Sequence, residues 1–168
     1  MKIKIEAATQ SDLSGINDIY NHYILESNAT FDTEEWSIER RTEWFHQFNG
    51  DESSYSLLVA KHGDEILGFV YNAKFKEKPA YFTSSEVTVY VSPVTVNSGL
   101  GTELYRHLIS RIEGSEIHRL YAGIALPNDA SVRLHEKHGF NLVGTQHEVG
   151  YKNGRFHSVS LYEKKLTR

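Results

Sequence analysis

A pair of glycines at the start of an amphipathic helix is the feature that most constrains this chain. The stretch "VTVYVSPVTVNSGLGTELYRHLI" runs from an alternating strand through Gly99 and Gly101 into a helical stripe of leucines. Glycine lets backbone amides approach a ligand closely, and the first amides of a helix have no internal partners. Because the helix dipole adds positive potential, we expect a phosphate group at this turn. A glycine-flanked helix start that binds nothing is the alternative.

Two common phosphate motifs do not fit this turn. The dinucleotide fingerprint needs a third glycine, where "GLGTEL" has a leucine, and the P-loop needs a Gly-Lys-Ser/Thr ending that the chain lacks. The phosphate loop therefore belongs to another class.

Composition narrows the class of protein. The 168 residues predict one domain spanning 1–168, and the net charge of -4 gives no basic footprint for nucleic acid. The absence of cysteine excludes disulfides, thiolate metal sites and a cysteine nucleophile. No apolar run approaches a membrane span, and "MKIKIEAATQ" is not a signal peptide. We therefore expect a soluble, cytoplasmic protein that binds no membrane.

Hydrophobic periodicity predicts the order of strands and helices. "KIKIEAA" alternates as a strand, Thr9 with Asp12 resembles a capping box that opens a helix through Ile24, and Ser37 is typical of the N-cap of a second helix. Three strands follow, namely "YSLLVAK" and "ILGFVYNAK" joined by "HGDE", and then "SEVTVYV". A helix over 101–113, the strand "RLYAGIA", the helix "NDASVRLHEKHG" and the strands "FNLVGTQH" and "SVSLYEKK" around "YKNGR" complete the chain. Antiparallel hairpins with two βα crossovers predict an α/β fold on a mixed sheet.

The motifs, taken together, resemble the GNAT superfamily of N-acetyltransferases. "SGLGTELYRHLI" after "EVTVYVSP" is similar to its acetyl-CoA loop, and "LPNDASVRLHEKHGF" resembles its later Asn-x-x-Ala/Ser…Gly-Phe motif. "IYNHYILESNATFDTEEWS", "PAY", "RLHEKHGF" and "GYKNGRFHSVSLYEK" resemble the phosphinothricin and methionine sulfoximine acetyltransferase branch. The resemblance implies a mixed, mostly antiparallel central sheet flanked by about four helices, with splayed strands around acetyl-CoA.

The resemblance also implies how acetyl-CoA binds as the acetyl-donor cosubstrate. The backbone of one strand pairs with the pantetheine arm, the amides of 97–102 hold the pyrophosphate, and two residues of the later motif lie on the pantetheine side. These cofactor-binding residues are Val89, Tyr90, Val91, Asn97, Ser98, Gly99, Leu100, Gly101, Thr102, Asn128 and Ser131. The family usually has Gln or Arg where this chain has Val96, so we expect a modest loss of affinity.

Glu86 and His135 occupy the positions of the branch's proposed catalytic pair. A carboxylate at the end of a strand can accept the ammonium proton, directly or through water, and Glu86 shares a strand face with Thr88 and Tyr90. A histidine can protonate the leaving thiolate or act as a base, because its ordinary pKa lies near neutrality. The alternatives are an exposed strand charge for Glu86 and a histidine bonded to a carbonyl on its helix face for His135.

The sequence also makes predictions about metal binding, the route of acetyl transfer and the oxyanion donor. The histidines of "HEKH" are three apart instead of four, and the other histidines show no ligand spacing, so we predict no metal. The chain has no Gly-x-Ser-x-Gly elbow, which favours direct attack by the amine over an acyl-enzyme. A backbone amide near Val89 is the expected oxyanion donor.

The acceptor side is predicted from two segments. The loop "ATFDTE" walls the acceptor pocket in the resemblance, while a capping turn before the second helix explains Asp32 equally well. A cation on the other side suits the carboxylate of an amino acid. The predicted substrate-binding residues are Phe31, Thr33, Glu34, Phe75, Lys78, Tyr81 and Thr88. The branch often has arginine at the position of Lys78 and tryptophan at the position of Thr83. Both positions lie on the acceptor side, so these departures affect which acceptor binds.

The sequence therefore predicts an N-acetyltransferase that moves the acetyl group of acetyl-CoA to a small amino acid or analogue. Two alternatives stay open at this point. One is another amine acceptor, such as a polyamine, an aminoglycoside or a protein N-terminus, and the other is a non-catalytic acyl-CoA-binding module. The resemblance further implies a homodimer, with "YKNGRFHS" and "SLYEKK" as candidate interface segments.

Overall fold

The computed structural model describes residues 2–50, 54–96 and 98–167. These ranges contain seven strands and four helices, separated in places by short 3₁₀ turns. The elements are β1 (Lys4–Ala7), α1 (Leu13–Glu26), α2 (Ile38–Phe45), β2 (Leu57–His62), β3 (Glu65–Lys74), β4 (Ser84–Val91), α3 (Leu100–Ile112), β5 (Arg119–Ala125), α4 (Asp129–Lys137), β6 (Asn141–Lys152) and β7 (Arg155–Lys165). The predicted order of elements is confirmed, and the differences lie in where elements end.

All seven strands form one sheet in the order β1-β2-β3-β4-β5-β7-β6. Every neighbouring pair is antiparallel except β4 and β5, which run parallel. The "HGDE" hairpin joins β2 to β3, with Gly63 at a φ of 64° that favours glycine. The prediction of a mixed, mostly antiparallel sheet is confirmed.

Two hydrophobic cores cover the two faces of the sheet. On one face, the predicted leucine stripe of α3 is fully covered: Leu104 and Leu108 are 0% exposed, and they pack with β4 and β5 residues such as Val87 and Leu120. On the other face, α1 and α2 pack over Phe69 of β3. Helices therefore cover both faces of the middle of the sheet: β4 packs in one core through Val87 and in the other through Tyr90, and β5 packs on the α3 side through Leu120.

The last two strands are longer than predicted. The sequence pattern predicts strands ending at "FNLVGTQH" and starting at "SVSLYEKK", but β6 and β7 continue to a two-residue turn at Asn153 and Gly154, both with positive φ. Glu148 also has a positive φ, and the β6–β7 register shifts between Gln146 and Gly150. A bulge of this kind breaks the alternation of side chains, which hides the strand from a period-two pattern.

The predicted helix starts are largely correct. Ser37 caps α2 by accepting a hydrogen bond from the Arg40 amide at 3.2 Å. The Thr9 amide donates to Asp12 Oδ2 at 2.7 Å, although this capping box opens a 3₁₀ turn that leads into α1. None of the described helices combines the length and the apolar character needed to cross a membrane.

Candidate active site

A cleft opens in the sheet where β4 and β5 separate. Their parallel pairing covers three residue pairs and ends at Glu86 and Tyr121. Beyond that point the two strands diverge, and a cavity of about 770 Å³ lies between them, bounded by residues 87–91 of β4 and 122–125 of β5. The start of α3, one side of α4, and α1 complete its walls.

The open edge of β4 presents backbone groups to this cleft. The Ser92 amide donates to Leu67 O at 2.7 Å, on the β3 side of the strand. Because successive peptide groups point to opposite edges of a strand, the N–H and C=O groups of Val89 and Val91 point to the cleft. Val91 O already accepts a hydrogen bond from the Tyr23 hydroxyl at 2.8 Å, so its amide is the group left for a ligand.

The start of α3 has the geometry of an anion site. Gly99 is the N-cap with a φ of 84°, a conformation that side chains other than glycine rarely adopt, and α3 begins at Leu100, one residue before the predicted start. The amides of Gly101 and Thr102 lie in the first turn, where a helix supplies no partner. Apart from its two chain neighbours, none of the described residues has an atom within 4 Å of a Cβ built on Gly99, so they leave the space above the turn open. The residues fit a pyrophosphate, and Asn97 lies outside the described residues.

The cofactor side of α4 is also where the sequence predicts it. Asn128 is the N-cap of α4, and its Oδ1 accepts a hydrogen bond from the Ser131 amide at 3.1 Å. Asn128 and Ser131 both line the cleft. The Asn128 oxygen is therefore engaged inside the protein, which leaves its amide nitrogen as the group available to a ligand.

Glu86 stands at the inner end of the cleft, where β4 and β5 begin to separate. Its carboxylate is reached by solvent through the cleft, yet the surrounding protein walls still desolvate it, which raises its pKa above the ordinary value. No described residue forms an ion pair with it. A solvent-accessible carboxylate with a raised pKa has the properties of a general base.

His135 lines the cleft but is only 4% exposed. Its Nδ1 lies 2.7 Å from Ser131 O, so Nδ1 carries the proton and donates it to that carbonyl. Its Nε2, 2.7 Å from the Tyr105 hydroxyl, is then the acceptor from that phenol. Burial lowers the pKa of His135, so the ring is held neutral with both nitrogens engaged.

Four tyrosines form a wall on the opposite side of the cleft: Tyr20, Tyr23, Tyr71 and Tyr90. The Tyr90 ring contacts Tyr20 at a centroid distance of 5.4 Å and Tyr23 at 5.1 Å, while Tyr71 stacks on Phe69 at 6.3 Å. Burial raises the pKa of each of them, so all four stay neutral hydroxyl groups. The Tyr20, Tyr23 and Tyr90 hydroxyls already donate inside the protein, to Asp32, Val91 O and Ala29 O respectively. This tyrosine wall is therefore neutral and fixed in place.

The loop after α1 lines the cleft with residues other than those that the sequence predicted. Ala29 and Thr30 line the cleft, while Phe31, Thr33 and Glu34 are exposed and do not. Two contacts from β6 fix this loop. The buried Lys152 ammonium donates to Thr30 O at 2.8 Å, and the ring of Phe31 lies where a Cβ on Gly150 would be.

Asp32 does not cap α2, because Ser37 does. Its Oδ2 accepts from the Tyr20 hydroxyl and from Trp36 Nε1, the latter at 2.9 Å. On the other side of the same rings lies Arg41, whose guanidinium carbon is 4.7 Å from the Tyr20 centroid and 4.1 Å from that of Trp36. Burial lowers the pKa of Arg41 to about 10. The acceptor loop is therefore tied to the tyrosine wall.

The predicted cationic corner of the acceptor pocket is arranged differently. Phe75 stacks on Tyr121 at 4.2 Å and meets Tyr81 edge-on at 6.0 Å. The cation over these rings is Lys76, at 5.1 Å from both Phe75 and Tyr81, while Lys78 is exposed. Phe75, Lys78 and Tyr81 do not line the cleft cavity, whereas Thr88 does.

Sequence reasoning missed three groups of cleft residues. Tyr20 and Tyr23 lie three apart on α1, a spacing that indicates a shared helix face, and Tyr71 comes from β3. Arg133 and Lys137 lie four apart on α4 and line the cleft near α3. Within the described ranges, no three His, Asp or Glu side chains come together as a metal site.

Comparison with known proteins gives a consistent picture. Residues 5–159 match the family described as the acetyltransferase (GNAT) domain. The chain is 42% identical over 167 residues to phosphinothricin N-acetyltransferase of Streptomyces coelicolor, covering 98% of this chain and 97% of that one. It is 29% identical over 164 residues to the L-methionine sulfoximine/L-methionine sulfone acetyltransferase of Salmonella typhimurium, covering 96% of this chain and 94% of that one.

The fold comparison agrees with the sequence comparison. A GNAT-superfamily phosphinothricin acetyltransferase from Sinorhizobium meliloti, solved in complex with acetyl-CoA, superposes with a TM-score of 0.92 at 26% identity. The match covers 99% of this chain and 89% of that one.

Proposed function

The chain belongs to the GNAT acetyltransferase family and is an acetyl-CoA-dependent N-acetyltransferase, and we propose that its acceptor is the amino group of a small amino acid or analogue of the phosphinothricin or methionine sulfoximine type. The observation that carries the proposal is the near full-length match to the two relatives with those names. The tyrosine wall and the free carboxylate at the inner end of the cleft support it.

The cleft orients the cosubstrate. We propose that the first amides of α3 hold the pyrophosphate and that the pantetheine arm runs along the open edge of β4, where the Val89 N–H and C=O and the Val91 N–H point into the gap. The thioester then lies toward Glu86. Glu86 and Val91 are five residue steps apart along the strand, roughly 17 Å at the rise of an extended chain.

Glu86 is the proposed general base. Its carboxylate takes a proton from the substrate ammonium, directly or through water, and the neutral amine attacks the thioester carbonyl. A C–N bond forms, the C–S bond breaks, and the CoA thiolate leaves and takes up, through water, the proton that the attacking nitrogen loses as the amide forms. The amide of Val89, directed into the gap, is the proposed donor to the carbonyl oxygen as negative charge develops on it.

We propose that His135 has a positioning role, in which its ring holds α4 in place. The neutral ring has no free N–H for the thiolate, since Nδ1 donates to Ser131 O and Nε2 accepts from Tyr105. It holds the start of α4, and therefore Asn128 and Ser131, against the cleft. Its predicted part in proton transfer stays a prediction, because it would require one of these hydrogen bonds to break.

A thiol-release assay tests the acceptor class. Purified protein is supplied with acetyl-CoA and with phosphinothricin, methionine sulfoximine, unmodified amino acids, polyamines or an aminoglycoside. We expect the highest kcat/KM for the amino-acid analogues. A higher kcat/KM for a polyamine or aminoglycoside would contradict the acceptor proposal, and acetyl-CoA binding without turnover of any amine would favour the non-catalytic alternative.

We also propose that the protein is a homodimer. The β6–β7 ribbon carries large apolar side chains that are more than half exposed in one chain: Leu142, Val143, Val149, Tyr151 and Phe156. Exposed apolar groups at this density are typical of protein interfaces. Light scattering after gel filtration should give twice the chain mass, and Phe156→Glu should reduce it; a monomeric wild type would contradict the proposal.

The proposed location is the cytoplasm. Acetyl-CoA is a cytoplasmic metabolite, and an enzyme that consumes it acts where it is present. Cell fractionation with an antibody to the protein tests this, and recovery in a membrane or extracellular fraction would contradict it.

A further inference from the structure

The charges that line the cleft are separated along its length. Glu86 is the one acid among the described lining residues, and it stands at the inner end. Arg133 and Lys137 are the only lysine or arginine side chains among them, and both lie on α4, which packs on the start of α3 at the Val91 end of the cleft. Both are exposed, and neither forms an ion pair with a described residue. Two cations that are one helical turn apart, without an ion-pair partner among the described residues, therefore line this end of the cleft.

These cations lie next to the phosphate turn. Leu134, between them in sequence, is 3.2 Å from a Cβ built on Gly101, so α4 packs directly on the first turn of α3. Arg106 chiefly lowers the pKa of Glu103 in that turn, and Lys137 also contributes to the lowering. Val96, in the loop before the turn, is apolar and exposed. The turn itself therefore brings amides and no cation.

We propose that Arg133 and Lys137 bind the 3′-phosphate of the adenosine end of CoA. The inference rests on the proposed placement of acetyl-CoA in this cleft. CoA carries two separate anionic groups, a pyrophosphate and a phosphomonoester. The α3 amides suit the first, and a pair of exposed cations at this end of the cleft suits the second, which carries nearly two charges at neutral pH. These cations then supply the positive charge that the turn itself lacks.

Titration calorimetry with CoA and with dephospho-CoA, which lacks only the 3′-phosphate, tests the assignment without catalysis. An exposed ion pair changes an equilibrium constant by up to about fivefold, so we expect the double variant Arg133→Ala/Lys137→Ala to bind CoA up to about 25-fold more weakly, and at least about threefold. The same variant should bind dephospho-CoA as the wild type does. The difference on CoA should shrink at 1 M salt, where exposed charges are screened.

The matched control removes the same charge elsewhere. Arg111 and Lys165 are exposed and do not line the cleft, so Arg111→Ala/Lys165→Ala should leave the affinity for both ligands unchanged. Equal weakening of CoA and dephospho-CoA in the Arg133/Lys137 variant would place the cations on the pyrophosphate and overturn the assignment. Unchanged CoA affinity would overturn any role in phosphate binding. Failure of the folded wild type to bind either ligand would instead contradict the proposed placement of acetyl-CoA.

Discussion

Replacing Glu86 by glutamine tests the chemistry most directly. Glutamine keeps the shape of the side chain and removes its ability to take a proton. Since the carboxylate has no ion-pair partner among the described residues, the substitution breaks no structural contact of that kind. We therefore expect a folded variant that binds CoA as the wild type does and transfers the acetyl group slowly.

The size of the effect follows from the role. A general base contributes about 100- to 10,000-fold to rate, so kcat/KM at pH 7 should fall within that range. The free-amine fraction of the acceptor rises about tenfold per pH unit below the amine's own pKa. Two pH units should therefore return about 100-fold of the lost rate, and the ratio of wild type to Glu86→Gln should narrow steadily as pH rises.

The pH profile adds an independent check. A base works when deprotonated, and burial raises the pKa of Glu86, so the acid limb of the wild-type kcat/KM profile should lie above the ordinary range of a glutamate. That limb should be missing in Glu86→Gln. The matched control is Glu65→Gln, at the exposed start of β3, which should leave the profile unchanged. Wild-type kcat/KM in the Glu86 variant at pH 7 would refute the reasoning.

Although Glu86→Gln should lose activity, its free energy of unfolding should not fall. A folded-state pKa above the unfolded value means that the folded state holds its proton more tightly, so the relative stabilisation is present at low pH and is lost as pH rises through the folded pKa. At pH 7 the charged Glu86 is therefore a net cost to folding, and Glu86→Gln should be at least as stable as the wild type in urea. The difference should vanish below pH 4. A variant less stable at pH 7 would show that the carboxylate has a structural partner.

Three further predictions concern the walls of the cleft. Gly101→Val should raise the KM for acetyl-CoA, because its side chain meets Leu134 and crowds the α3 amides; unchanged affinity in the folded variant would remove the phosphate role of the turn. Lys78 is exposed and does not line the cleft, so Lys78→Ala should leave kcat/KM unchanged for acceptors with and without a carboxylate; a selective loss for carboxylate-bearing acceptors would place Lys78 at the acceptor. Tyr105→Phe leaves His135 Nε2 without its donor, so the pKa of His135 seen by NMR should change; an unchanged titration would contradict the hydrogen bond.

Periodicity in the sequence predicts what is local. The alternation along β4 and the leucine spacing of α3 depend on neighbours along the chain. Both are confirmed: Val87 and Val89 pack in the core under α3 while Tyr90 packs in the core on the other face, and Leu104 and Leu108 are buried. The Gly99 turn was also predictable, because glycine is needed for its positive φ.

Contacts between distant segments could not be predicted in the same way. Nothing in the spacing of α4 indicates that it packs on the first turn of α3, which is what directs Arg133 and Lys137 to the cleft. Likewise the "PAY" segment predicts a cation near aromatic rings, but the cation that lies over the Tyr81 ring is Lys76 and not the predicted Lys78. The loop after α1 reaches the cleft through Thr30, since Lys152 and β6 fix how it turns.

The short seam between β4 and β5 has a mechanical consequence. Only three residue pairs join the two halves of the sheet, so the gap width is set by side-chain volume in the shared core rather than by a ladder of backbone bonds. Because β4 and β5 diverge from this seam, a small change in the angle between them beside the fully buried Leu120 becomes a larger change in their separation at the other end of the cleft, roughly 17 Å away along the strand. A core substitution there that removes one methylene group therefore changes the width of the cleft, without altering any residue that contacts a ligand.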